Sequence, residues 1–283
     1  EGNQNISISM KNFSGENLLQ INPALEKDLA DFSLNADALI NGTLEKPIIT
    51  GNVSLNELKV RNSKLGSLTA SIFYNEKYLT SDIKFGQDVK DTTSLYMSAG
   101  VYFPINLQLL PVKERIIKDK PLKIEVQADN FDLANLGNSL PFINEQKGIF
   151  SSELLITGTI DNINYDGFIS LAGGKFKALQ NNMHYGMEGR LKFDRQEINI
   201  EELKIFNDED LPQEGTMSAL GSIKFDGFKI SHGDISIEGG LAVLSPETKK
   251  VNPFMYGNVY IETPRPLKVM LGDSYTQVRG TLS

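Results

Sequence analysis

His184 and His232 are the only histidines in this 283-residue chain, and it contains no cysteine. Neither histidine stands in an HxH or HExxH arrangement, so the spacing that holds zinc is missing. Each reads as a turn or strand-end residue. Without cysteine there is no thiolate nucleophile and no disulfide framework, and no Gly-x-Ser-x-Gly elbow supplies a serine one. Asp208-Glu209-Asp210 has charge enough for half a calcium site but lacks the spaced ligand series and the fixed glycine; it reads as a solvated loop. Gly173-Gly174 and Gly239-Gly240 are not followed by helix signals and read as turns or bulges, not as a phosphate cradle. Arg265, between Pro264 and Pro266, reads as part of a rigid turn. Glycoside chemistry needs a carboxylate pair, and sugar binding an aromatic platform. The chain has no tryptophan and no convincing pair. The expectation is a protein that is not an enzyme, with no cofactor and no metal.

The elements behind these residues are strands. Ile6, Ile8 and Met10 alternate with Ser7 and Ser9, as do Leu34, Ala36, Ala38 and Ile40 with their polar neighbours. This period of two marks strands with one wet face. Alternation resumes at Leu58 and Val60 one residue out of phase with Val53 and Leu55, which predicts a turn or bulge near Asn56-Glu57. Further strands are expected over 68–74, 79–85, 95–101, 154–160, 168–171, 190–193, 198–205, 220–225, 235–237, 259–261 and 269–271. Ile124, Val126 and Ala128 form the cleanest alternation. Asp88 to Asp91 is a polar loop. Pro246, Pro253, Pro264 and Pro266 are placed in links between strands, because proline interrupts a central one. Leu18, Leu19, Ile21 and Leu25 suggest a short helix or turn-rich connector over 12–29. Val112 to Lys120, bounded by prolines and rich in Lys and Arg, reads as a connector between units.

The strands repeat. Leu39-Ile40-Asn41-Gly42-Thr43-Leu44, followed by Gly51-Asn52-Val53-Ser54-Leu55, returns as Leu155-Ile156-Thr157-Gly158-Thr159-Ile160, followed by Gly167-Phe168-Ile169-Ser170-Leu171. The offset is 116 residues at both glycines. Asn12-Phe13 returns as Asn130-Phe131, and Gly280-Thr281-Leu282 looks like a third beginning. The expected organisation is a first unit over 1–116 and a second over 117–283, with the start of a third near 280, as in a piece of a longer protein.

Composition limits partners. The net charge of −8 argues against nucleic acid, whose phosphates require a basic footprint. No apolar run reaches the roughly 18 residues of a spanning helix. Two architectures fit the pattern. One is a closed sandwich or barrel whose apolar faces bury each other. The other is a long sheet curled into a trough that lengthens unit by unit, and only this one gives the repeat a reason. The fold expected is therefore all-β: an elongated, curled antiparallel sheet with an apolar interior and short helical connectors. For the residues that line the trough, alternation nominates Val53, Leu55, Ile124, Val126, Ile169, Leu171, Ile198, Ile200, Ile223 and Phe225.

The segment Leu39-x-x-Gly42-Thr43-Leu44 with Pro47-Ile48-Ile49-Thr50-Gly51-Asn52-Val53-Ser54-Leu55 resembles the C-terminal region of the TamB family, within the AsmA-like superfamily. So do the preceding Asn-Phe … Leu-Pro segment and the Gly-rich strands around Tyr185-Gly186. The second unit has Ile163 where the first has Pro47. The resemblance implies a taco-shaped sheet of repeating β-groove units, similar to the bridge-like lipid transfer proteins. It implies a parent anchored in the inner membrane of a two-membrane bacterium, which makes the membrane contact and crosses the periplasm. The roles implied are phospholipid movement to the outer membrane or, alternatively, a scaffold for outer-membrane protein insertion with a BamA-like partner.

Overall fold

The structure is a computed structural model that describes residues 2–15, 17, 31–61, 63–91, 94–209 and 211–283. Fifteen strands form one antiparallel sheet that is not closed. They are β1 (Gln4–Ser14), β2 (Asp31–Gly42), β3 (Pro47–Val60), β4 (Ser63–Asn75), β5 (Tyr78–Gly86), β6 (Leu95–Pro104), β7 (Leu122–Asp132), β8 (Ile143–Thr159), β9 (Asn162–Ala178), β10 (Met183–Arg195), β11 (Glu197–Asn207), β12 (Thr216–Asp226), β13 (Lys229–Leu244), β14 (Val259–Gly272) and β15 (Tyr275–Arg279). Their order in the sheet is their order in the chain. Because that one sheet is open, a closed barrel or sandwich is excluded. Single 3-10 turns occupy Leu133–Leu136 and Pro246–Lys250. The connector expected over 12–29 lies mostly outside the described residues.

Contacts divide the chain into two compact units, Glu1–Asp129 with Glu153–Ile163, and Asn130–Ser152 with Asn164–Ser283. The sequence repeat is visible in the backbone. Gly42, the last residue of β2, and Gly158, the last but one of β8, have φ of 88° and 104°, a region that excludes most side chains. Glu57 and Gly173, again 116 residues apart, have φ of 54° and 58° and sit in bulges of β3 and β9. Asn12 and Asn130 have φ of 52° and 51° near the ends of β1 and β7. Each then donates its backbone N–H to a side chain on the following strand, Asn35 Oδ1 and Ser151 Oγ. Asparagine tolerates this left-handed geometry better than most residues.

Some strands are longer than alternation suggested. β9 runs through Gly173-Gly174 because the bulge takes up the extra residues and the ladder resumes at Gly174↔Met187. Strands expected separately at 259–261 and 269–271 are one strand, β14. Pro264 and Pro266 lie inside it, not in a link: Ile237 pairs with Leu267 while Gly239 pairs with Thr263, so residues 264–266 form a bulge. β15 pairs only from Lys268 to Gly272. The prolines thus occupy a bulge where no ladder N–H is required of them.

Candidate functional site

Antiparallel register places directly opposed residues on the same face. In the first unit one row runs Met10–Ala36–Val53–Ala70–Ile83–Ala99–Val126 across β1 to β7. A second runs Phe13–Leu34–Leu55–Leu68–Phe85–Met97, and a third Ala38–Gly51–Ile72–Ser81–Val101–Ile124. No residue of these rows is charged, and Ser81 is the one with a polar side chain. The alternate rows on the other face are polar: Ser9–Asp37–Asn52–Ser71–Asp82 and Asn35–Ser54–Thr69–Lys84–Ser98–Gln127. Four of the nominated lining residues, Val53, Leu55, Ile124 and Val126, therefore share one face.

That face has no second layer among the described residues. Extensive contacts between strands of this unit are all between sheet neighbours. Val53, Leu55, Ile124 and Val126 are half-buried by the side chains beside them, and Ile8 is 53% exposed. The opposite face carries a shallow depression lined by Asn35, Asp37, Asn52, Ser71, Asp82 and Lys84, whose polar walls suit water, not hydrocarbon.

One end of the apolar face is strapped. The chain after β6 crosses the strand ends: Ile105 N–H donates to Lys77 O at 2.9 Å and Leu109 N–H to Leu44 O at 2.8 Å. Between these ties, Leu107 N–H donates to the Tyr74 hydroxyl at 2.9 Å. Tyr74 is only 2% exposed. Arg115, from the basic run read as a bare connector, donates to the carbonyls of Asn106 and Gln108 and holds the strap in shape.

The second unit repeats the arrangement with more closure. Ile169–Leu191–Ile200–Gly221–Ile235–Val269–Val278 is one apolar row across β9 to β15, and Phe193–Ile198–Ile223 lies in the next. Leu171, Ile169, Ile198, Ile200, Ile223 and Phe225 thus occupy one face; Ile200 is buried and the others are half-buried. Two tyrosines on this face reach over intervening strands. Tyr165 on β9 donates to Gly227 O in the β12–β13 turn at 3.0 Å and packs against Phe193 and Phe225. Tyr185 on β10 donates to Ala242 O on β13 at 3.2 Å. Such bonds require the apolar face to be the concave side of this unit. The cluster of Met183, Tyr185, Leu241 and Ala242 packs with Phe176, Ile205, Met217 and Tyr260.

Burial raises the pKa of Tyr165 and Tyr185 above the ordinary phenol value; at Tyr185 the Asn181 hydrogen bond opposes the rise and the charge of Glu209 adds to it. None of the three tyrosines was singled out as a site residue in the sequence. Tyr74 closes the strand expected over 68–74, whereas Tyr165 and Tyr185 lie outside the strands that alternation marked.

The structure keeps the two histidines weighed for catalysis on different strands, β10 and β13. His184 is the second residue of β10, and its ring nitrogens lie 3.3 Å from Glu209 and 3.4 Å from Glu145. His232 is remote from it, paired with Lys224 and Gly272. The acidic loop is pinned, not simply solvated: Asp208 pairs with Lys175 at 2.8 Å, and the Glu209 side chain is 20% exposed. Asp210 lies outside the described residues. No cluster of metal-ligating side chains occurs among the described residues.

The geometry thus defines a class: an open antiparallel sheet with an uncharged apolar face across β1 to β7 of its first unit. No family model, curated protein or solved structure matches the chain.

Proposed function

We propose that this chain is a non-enzymatic segment of a lipid conduit that holds phospholipid acyl chains along its apolar face. The observation that carries the reading is the three-row apolar face of the first unit, uncharged across its strands and without a covering layer among the described residues. Each methylene transferred from water onto such a lining gains about 0.8 kcal/mol, so an acyl chain is a fitting occupant. Headgroups would stay at the open margin, in water. Transport between inner and outer membranes, a periplasmic setting and a BamA-like partner belong to the proposal through the TamB resemblance.

The test is native mass spectrometry of the chain purified from a two-membrane bacterium. The proposal expects phospholipid adducts that diminish in Val126→Glu and persist in Gln127→Glu, since these neighbours lie on opposite faces. A chain that is lipid-free when isolated, and that acquires no adduct when phospholipid is added, would overturn it.

A further inference from the structure

The loop between β13 and β14 exposes an apolar tip. Phe254 is 97% exposed, with Met255 at 56%, Tyr256 at 48% and Val251 at 46%. Single exposed apolar residues are ordinary, but a contiguous group marks a contact surface. Two further exposed apolar residues, Phe142 at 65% and Leu179 at 40%, stand beside each other on other loops, where Leu179 N–H donates to Phe142 O at 2.9 Å. The tip loop and the turn that carries Leu179 are tied together because Thr248 Oγ1 donates to Asn181 O at 2.8 Å and Asn182 Nδ2 to Glu247 O at 3.4 Å.

The tip is built, not frayed. Ser245 and Thr248 cap the 3-10 turn reciprocally. Asn252 N–H donates to Thr248 O at 2.8 Å, and Asn252 Oδ1 accepts from the N–H groups of Phe254 and Met255. Gly257 N–H closes the loop onto Ser245 O at 3.3 Å. The backbone bonds therefore hold the phenyl ring away from the protein.

We infer that this tip inserts into the interfacial layer of a lipid bilayer. A protruding ring exposed on nearly all sides gains most from an occupant that can close around it, as fluid acyl chains do. Its flanks carry interface chemistry. The Lys249 ammonium lies 5.0 Å from the Tyr256 ring, so an amphipathic ring and a cation stand together beside the apolar tip. Lys250 is paired with Glu247, leaving Lys249 as the loop's uncompensated charge and a match for an anionic headgroup. The chain's net charge of −8 opposes approach to an anionic surface, so apolar insertion must carry the attachment and added salt should not abolish it. This surface is separate from the acyl-binding face and does not depend on it.

The absence of tryptophan supplies a clean reporter. In Phe254→Trp the sole indole should shift its emission to the blue on vesicles of phosphatidylcholine with a minority of phosphatidylglycerol. It should also be quenched when those lipids carry brominated acyl chains. Leu220→Trp, at an exposed position of β12, should do neither. The double variant Phe254→Ser, Met255→Ser should lose at least tenfold in vesicle co-sedimentation while keeping its circular dichroism and its lipid adducts in native mass spectrometry. Unchanged emission of the Phe254→Trp indole on vesicles overturns the inference, as does an equal shift at both reporters. A blue shift without vesicles that grows with protein concentration also overturns it and assigns the tip to a second copy of the chain.

Discussion

Asn207 and Ala242 exchange two hydrogen bonds across strands that are not neighbours in the sheet. Ala242 N–H donates to Asn207 Oδ1 and Asn207 Nδ2 donates to Ala242 O, each at 3.0 Å. The same Oδ1 accepts from Gly215 N–H at 3.0 Å, and Tyr185 donates to the same Ala242 carbonyl. One buried amide thereby satisfies the backbone where β13 comes over β10 and β11 and fixes the concavity of the second unit.

Asn207→Ala would leave two backbone N–H groups without these acceptors and should destabilise the second unit by about 2–6 kcal/mol, since each unsatisfied buried donor costs about 1–3 kcal/mol. Tyr185→Phe leaves the Asn207 bond to Ala242 in place and should cost about 0.5–1.5 kcal/mol. Urea unfolding of the two variants measures the difference; equal costs would mean that Asn207 is not the main tie.

The glycines of the repeat give a paired test. Gly42→Ala and Gly158→Ala each force a β-carbon onto a backbone with φ near 90–100°, and at Gly42 it would also meet the Lys46 carbonyl. Each should cost about 1–3 kcal/mol. Thermal unfolding checks this, and a neutral result at both sites would show that the repeated geometry is not required for stability.

Alkaline pH should weaken the curl of the second unit. Burial raises the folded-state pKa of Tyr185 and Tyr165 above the unfolded value near 10. The phenols must be neutral to donate to Ala242 and Gly227. Their contribution is therefore fully present below the unfolded pKa and is lost as pH rises through the higher folded pKa. Unfolding midpoints measured from about pH 9 upward should fall, and fall less in Tyr185→Phe. An identical fall in wild type and variant would remove Tyr185 as a cause.

Much of this was legible in the sequence, for local reasons. The alternation of Ile6, Ile8 and Met10 is β1, and the phase slip at Asn56-Glu57 is a bulge because a one-residue insertion inverts every later side chain. What escaped was non-local. Pro264 and Pro266 lie within a strand because a bulge spares them a ladder bond, which only pairing with β13 reveals. Nothing local marks Tyr74, Tyr165 and Tyr185 as ties until their hydroxyls meet Leu107, Gly227 and Ala242. Alternation groups Val53 with Leu55, but it cannot say whether anything covers their face.

Val126 and Gln127 separate an open lining from a packed core. Val126 is half-buried opposite Ala99 and Gln127 is exposed opposite Ser98. On an uncovered face a carboxylate keeps access to water, so Val126→Glu should retain the fold, with a stability loss below about 1.5 kcal/mol, far short of an unpaired charge in a closed core. Circular dichroism with urea titration checks this; unfolding of Val126→Glu would make the face a core.

Photo-crosslinking tests the acyl-binding face most directly. A phospholipid carrying a diazirine in its acyl chain should, after irradiation and peptide mapping, label residues of the row Val53, Ala70, Ile83, Ala99 and Val126, and spare Asn52, Ser71 and Asp82 on the reverse of the same strands. Labelling concentrated on Asn52, Ser71 and Asp82, or spread equally over both faces, would contradict the account.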